Sequence, residues 1–132
     1  MKAVVRWQQG LNFESEMESG RKMQLSGEGE YMSPMELVLQ AVGGCSSIDV
    51  VMILQKARQT ITGCECQLTA ERAETDPKVF TKINAHYVVT GTDLAEKQVA
   101  RACELSMEKY CSVSLMLKGK VDITYSFEVR SN

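Results

Sequence analysis

The segment "SPMELVLQAVGGCSSIDVVMIL", residues 33–54, constrains the fold more than any other stretch of the chain. Met35, Leu37, Val38, Leu39, Ala41 and Val42 leave almost no polar face. After Gly43-Gly44 the pattern resumes with Ile48, Val50, Val51, Met52, Ile53 and Leu54. A helix that is apolar on every side has to be covered on every side. A chain of 132 residues is the size of one compact domain and has little material with which to wrap such a helix alone. Part of the covering is therefore expected from a second copy of the chain. Ser33-Pro34-Met35-Glu36 reads as the start of the helix, with Ser at N-cap, Pro at N1 and Glu at N3 of a capping box. Consecutive glycines are unfavourable inside a helix. The spacing thus predicts two helices that break at Gly43-Gly44. The second opens at Cys45, with Ser46 and Asp49 in a cap-like spacing. Glu36, Gln40 and Asp49 interrupt the run, so it lacks the ~20 consecutive apolar residues of a membrane span.

The remaining elements follow from periodicity. Lys2 to Gln8 reads as a strand. Leu11, Phe13, Ser15 and Met17 alternate as a second, and Arg21 to Ser26 form a third after the Ser19-Gly20 turn. Cys64, Cys66, Leu68 and Ala70 share one strand face. After a turn at residues 75–78, Ile83, Ala85, Tyr87 and Val89 share another. Asp93 to Glu96 resembles a cap for a helix reaching about Tyr110. Its core stripe is Val99, Ala102, Cys103, Ser106 and Tyr110. Val121, Ile123, Tyr125, Phe127 and Val129 alternate as the last strand. The order βββ-αα-ββ-α-β is α+β with mostly antiparallel sheets. No linker or repeat divides it, so residues 1–132 are expected to form a single domain.

A net charge of −2 and the lack of any basic run argue against a nucleic-acid binder, which needs a clustered positive field. Glu14, Glu16 and Glu18 occupy every second position, as on the solvated face of a strand. "GEGE" at residues 27–30 lacks the spacing and the lysine of a phosphate-binding loop. The N-terminus "MKAVVRWQQG" has no secretory h-region. Five cysteines, an odd number, suit the cytoplasm and transient rather than structural disulfides.

The cysteines differ in context. Cys45, at the expected helix opening, would be favoured as a thiolate by unpaired helix-terminal N–H groups. The alternative is a small buried core thiol. Cys111 follows a stripe residue and reads as core, or as a partner for Cys45. Cys64 and Cys66 form a C-x-C pair without a second Cys/His pair at ligand spacing, so no metal site is expected. Cys103 fits its helix stripe. A Cys–His or Ser–His–Asp arrangement would need His86, the only histidine, and His86 lies on the opposite parity to Ala85 and Tyr87.

At "SPMELVLQAVGGCSSIDVV" and "ACELSMEKYCSVSLMLKGKVDITYSFEV" the chain resembles the OsmC/Ohr family of osmotically inducible and organic-hydroperoxide-resistance proteins. It is most similar there to the small YhfA-like branch. The resemblance covers nearly the whole chain. It implies an intertwined homodimer with central helices between sheets, and thiol chemistry without a bound cofactor. Cys45 would attack a peroxide oxygen and Cys111 would resolve the product as a disulfide. A dithiol reductant, a lipoylated protein in some members, would restore the thiols. Family peroxidases carry a glutamate directly after the helix-opening proline and an arginine in the first hairpin region. Here Met35 follows Pro34, and Glu36 and Arg21 are the nearest candidates for that pair. Met32, Met35 and Leu11 are the residues expected to line an apolar substrate pocket. The other function consistent with the resemblance is a non-catalytic dimer that binds a small apolar or electrophilic molecule.

Overall fold

The computed structural model describes all residues, Met1–Asn132. Two compact units divide the chain, Met1–Val38 and Leu39–Asn132. The first is an antiparallel meander of β1 (Ala3–Gln9), β2 (Asn12–Met17) and β3 (Lys22–Ser26), followed by the start of α1 (Pro34–Lys56). Alternation sets its faces. Glu14 and Glu16 on β2 meet cations from the neighbouring strands, with Arg6 Nη1 2.8 Å from Glu16 Oε1 and Lys22 Nζ 4.0 Å from Glu14. The "GEGE" loop is folded onto the hairpin by its own carboxylates. Leu11 N–H donates to Glu28 Oε1 at 3.0 Å and Asn12 Nδ2 to Glu30 Oε2 at 2.6 Å.

The capping box is present at the start of α1. Ser33 N–H donates to Glu36 Oε1 at 2.9 Å, and Glu36 N–H donates to Ser33 Oγ at 3.1 Å. These two bonds satisfy donors that the first helical turn leaves open.

The second unit holds the rest of α1 and a sheet ordered β4 (Thr60–Arg72), β5 (Phe80–Thr92) and β6 (Asp122–Ser131). β4 and β5 pair antiparallel, β5 and β6 parallel. The parallel pair needs a crossover. It is supplied by α2 (Glu96–Leu105), a π-helical turn (Ser106–Tyr110) and α3 (Ser112–Leu117). The core joins Val50 and Leu54 of α1, Ala85, Tyr87 and Val89 of β5, and Val99, Ala102, Cys103 and Met107 of the crossover. The α+β class with mostly antiparallel pairing is thus observed.

Three local expectations are corrected. First, the two-helix segment is one uninterrupted α1 of 23 residues. A glycine inside a helix costs only about 1 kcal/mol relative to alanine, too little to break a helix with apolar sequence on both sides. Gly43 has a packing reason instead: a Cβ there would sit 2.7 Å from Leu68 Cδ1. Second, Asp93 does not cap α2. It has a φ of 51°, and the N-cap is Ala95, whose N–H donates to Gln59 Oε1 at 2.9 Å. Third, Tyr110 leaves the core stripe and is exposed, while Met107 and Cys111 are buried. The π turn adds a residue to the helical repeat and shifts the stripe past Tyr110.

By length and composition α1 could cross a membrane. Within the second unit its buried side is one stripe, Val42, Gly43, Ser46, Val50 and Leu54. Ile48 and Met52 stand on the uncovered side, 62% and 48% exposed.

Candidate active site

The uninterrupted α1 changes the setting of Cys45. The thiol lies in mid-helix, where backbone N–H groups are used by the helical ladder, so helix-terminal donors are not available to it. What it meets is Cys111. The Cys45 side chain lies beside that of Cys111, close enough to raise its thiol. Cys111 is completely buried and Cys45 half-buried, so a reagent from solvent reaches Cys45 first.

Cys111 is delivered by the π turn. Its N–H donates to Ser106 O at 2.7 Å, the i→i+5 bond that closes the turn. Burial is the main force pushing the Cys111 thiol up, and the Cys45 sulfur adds to it, while the Ser114 hydroxyl and N–H pull it down. Ser114 N–H donates to Cys111 Sγ at 3.5 Å. Cys111 therefore keeps its proton at neutral pH.

A buried polar network surrounds the pair. Ser46, next to Cys45, donates its hydroxyl to Val42 O at 2.7 Å and accepts from Tyr87 O–H at 2.5 Å. Ser106 Oγ lies 3.0 Å from Ser46 O and 3.0 Å from Asp49 Oδ2. Ser46 and Asp49, expected to cap a second helix, instead bond back along α1 and across to the crossover. Met107 Sδ lies 3.3 Å from the Tyr87 hydroxyl, whose proton goes to Ser46, and accepts from Ser114 O–H at 3.7 Å. Unpaired polar groups at such depth would be costly.

Beside the network runs a groove of about 660 Å³ lined by Asp49, Met52, Ile53, Leu105, Arg101 and Tyr110 among others. Asp49 lies one helical turn beyond Cys45, and Tyr110 immediately precedes Cys111. Met52, Ile53 and Leu105 make its floor apolar, as expected of a site for a small organic molecule.

The other cysteines are placed as thiols of the core. Burial pushes Cys66 up to about 11, partly offset by the nearby Ser47 and Tyr87 hydroxyls. Burial, with Cys64 and Cys66 nearby, pushes Cys103 up to about 12. His86 faces away from Tyr87 on β5, with Nδ1 2.7 Å from Ser126 Oγ and Nε2 3.2 Å from Glu128 Oε1. It takes no part in the thiol site.

The remaining candidates lie in the first unit. Glu36 is engaged in the capping box. Arg21 follows the β2–β3 turn, is exposed, and donates from Nε to Ser19 Oγ at 3.1 Å; it forms no ion pair with Glu36. Leu11 lines an apolar hollow of about 270 Å³ with Val5, Phe13, Leu25, Gly27 and Pro34. Met32 and Met35 do not line that hollow. Ser106, Asp49 and the groove residues were missed from sequence. Ser106 could have been noticed as the one serine on a stripe of larger or apolar residues, and Asp49 as an acid on a helix apolar nearly all round.

Residues 27–126 match a family model described as OsmC-like protein. The chain is 54% identical over 131 residues to protein YhfA of Escherichia coli strain K12, covering 98% of each. A crystal structure of a hypothetical protein from Aquifex aeolicus VF5 is 32% identical and superposes with a TM-score of 0.91 over 99% of this chain and 96% of that one. The organic hydroperoxide resistance protein OhrB of Bacillus subtilis shares the fold, with a TM-score of 0.65 at 18% identity and 96% coverage of both chains.

Proposed function

The chain belongs to the OsmC family, and from that premise we propose that it is a thiol-dependent peroxidase that reduces organic hydroperoxides in oxidative or osmotic stress defence. The observation that carries this reading is the juxtaposition of Cys45 and Cys111, one thiol half-buried and the other buried.

The chemistry balances with these two residues. The Cys45 thiolate attacks the outer peroxide oxygen, the O–O bond breaks, and the alkoxide takes a proton and leaves as an alcohol. Cys45 is then a sulfenic acid. The Cys111 sulfur attacks the Cys45 sulfur and water departs, leaving a disulfide. An external dithiol, a lipoylated protein or its equivalent, reduces that disulfide by two exchange steps. Cys111 suits the resolving role because its proton is retained until Cys45 has been oxidised. Neither thiol lines the groove, but it begins at Asp49, one helical turn from Cys45, and Met52, Ile53 and Leu105 in its lining suit an organic rather than hydrogen peroxide. Glu36 and Arg21, the sequence candidates for the family's carboxylate–arginine pair, are each bonded to a neighbouring serine.

The working form in this proposal is a cytoplasmic homodimer. The uncovered side of α1, with Ile48 and Met52 exposed, supports the dimer, and five free thiols suit a reducing compartment.

The test is turnover of cumene hydroperoxide with a dithiol as the sole reductant. Wild-type protein should turn over and Cys45→Ser should not. Equal inertness of the two would overturn the reading. A second reading is a non-catalytic dimer that binds a small apolar or electrophilic molecule. It is favoured by Met35 in the place of the family carboxylate and by the capping role of Glu36. The rate of Cys45 alkylation against pH separates the two: a midpoint near the unperturbed ~8.5 favours binding.

A further inference from the structure

Ser106 is hydrogen-bonded both to the residue next to Cys45 and to Cys111 itself. Its hydroxyl lies 3.0 Å from Ser46 O, in the residue covalently next to Cys45, and 3.0 Å from Asp49 Oδ2, one turn further along α1. Its carbonyl accepts the Cys111 N–H at 2.7 Å. The side chain is completely buried, and the Asp49 carboxylate has no other hydrogen bond within the chain. α1 and the backbone of Cys111 are thus joined through one residue, whose hydroxyl meets α1 and whose carbonyl accepts the Cys111 N–H.

The π turn gives this arrangement its purpose. A regular α-helical continuation would pair Ser106 O with the N–H of residue 110 and turn Cys111 by roughly 100°. The i→i+5 bond ends the helix at Cys111, in an extended conformation with φ −70° and ψ 104°. From there the thiol lies beside Cys45. A turn of this kind holds its shape only if neighbouring contacts fix it, and the Ser106 hydroxyl provides such a contact with α1.

We infer that Ser106 is a positioning residue that fixes Cys111 against α1 beside Cys45 for closure of a disulfide. It touches neither peroxide nor sulfur in this role. Its effect is on closure, in which the Cys111 sulfur attacks Cys45, and not on the first attack by Cys45. The inference rests on the redox-pair reading above, but it can be measured without any peroxide.

The experiment equilibrates full-length protein in glutathione buffers of graded ratio and quantifies the Cys45–Cys111 disulfide by peptide mapping after alkylation. Cys45 displaces one glutathione from glutathione disulfide to form a mixed disulfide. Cys111 then displaces the second, so two thiols are oxidised and one disulfide is reduced to two glutathiones. The equilibrium gives the effective concentration of one thiol at the other. Ser106→Ala should lower it about tenfold or more, since misplacement of about 1 Å costs reactions of fixed geometry up to 10²-fold. Asp49→Ala, which removes one of the two acceptors, should fall between Ser106→Ala and wild type. It also provides the test if Ser106→Ala does not fold. Ser106→Thr, which keeps the hydroxyl, should stay within about threefold of wild type. The inference is overturned if Ser106→Ala and Asp49→Ala both stay within twofold, if the Thr variant falls as far as the Ala variant, or if wild type forms no Cys45–Cys111 disulfide at any ratio. A wild type that closes in glutathione but ignores hydroperoxide would defeat the peroxidase reading and leave the role of Ser106 standing.

Discussion

The Cys111 thiol lies beside the Cys45 side chain, which helps to raise it, and the two residues come together from different elements, one from the middle of α1 and one from the end of a π turn. Burial and the neighbouring sulfur keep the Cys111 proton in place, so the pair is asymmetric before any oxidant arrives.

That asymmetry predicts how the two cysteines fail. Cys111→Ser should still consume one equivalent of hydroperoxide and then stop, with Cys45 trapped as a sulfenic acid that dimedone labels. Cys45→Ser should consume none. Stopped-flow peroxide loss followed by mass analysis of the dimedone adduct reads both. Full multiple turnover by Cys111→Ser with the same dithiol would remove Cys111 from the resolving role.

Gly43 should resist substitution for a steric reason. Its missing Cβ would stand 2.7 Å from Leu68 Cδ1, and overpacking of this kind costs about 1–3 kcal/mol. Helix propensity returns about 1 kcal/mol of that. Gly43→Ala should therefore lose roughly 1 kcal/mol in urea denaturation. In a Leu68→Ala background the same change should be neutral or stabilising, because the clashing methyl is gone. Additive losses in the double variant would contradict the packing account.

Stability should fall in alkali through the buried thiols. Folding raises Cys66 from 9.0 to about 11 and Cys103 from 9.0 to about 12, in both cases chiefly by burial. The unfolded chain loses these protons first, so their contribution is complete below about pH 9 and is lost as pH rises towards 11 and 12. Each thiol can remove about 1.4 kcal/mol per pH unit within its window. The urea midpoint should drop steadily above pH 9, and Cys103→Ala should flatten the slope. A midpoint independent of pH between 9 and 11 would mean that these thiols are not shielded in solution.

The uncovered side of α1 predicts assembly. Ile48 is 62% exposed in the single chain, and burying a side chain of this type is worth about 1.5–3 kcal/mol. Light scattering should find a dimer at micromolar concentration. Ile48→Glu should shift it to monomer, because a carboxylate buried without a partner is strongly disfavoured. A monomeric wild type would contradict the dimer proposal.

Much of the second unit was legible because a strand repeats every second residue. Ile83, Ala85, Tyr87 and Val89 alternate in sequence and are buried in the structure. The capping box was legible for a similar reason, since Ser33 and Glu36 need only local geometry. The continuity of α1 was not, because a small glycine penalty competes with packing against Leu68, a residue 25 positions away. The displacement of Tyr110 was hidden as well, since a π turn closes with an i→i+5 bond that leaves no mark in an apolar repeat. At the site, the settings of Cys45 and Cys111 drew attention to both thiols. Ser106 and Asp49 stayed hidden because a core stripe and a cap explained them equally well. Only the packing of the crossover against α1 brings them within 3.0 Å.

The central claim is that hydroperoxide converts the Cys45–Cys111 pair into a disulfide. Its most direct test is to add one equivalent of cumene hydroperoxide to fully reduced protein, then measure intact mass and map the disulfide. The expected result is loss of two hydrogens from the chain, one equivalent of cumyl alcohol, and a peptide joining Cys45 to Cys111. Unconsumed hydroperoxide with all thiols free, or a disulfide joining other cysteines, would contradict it.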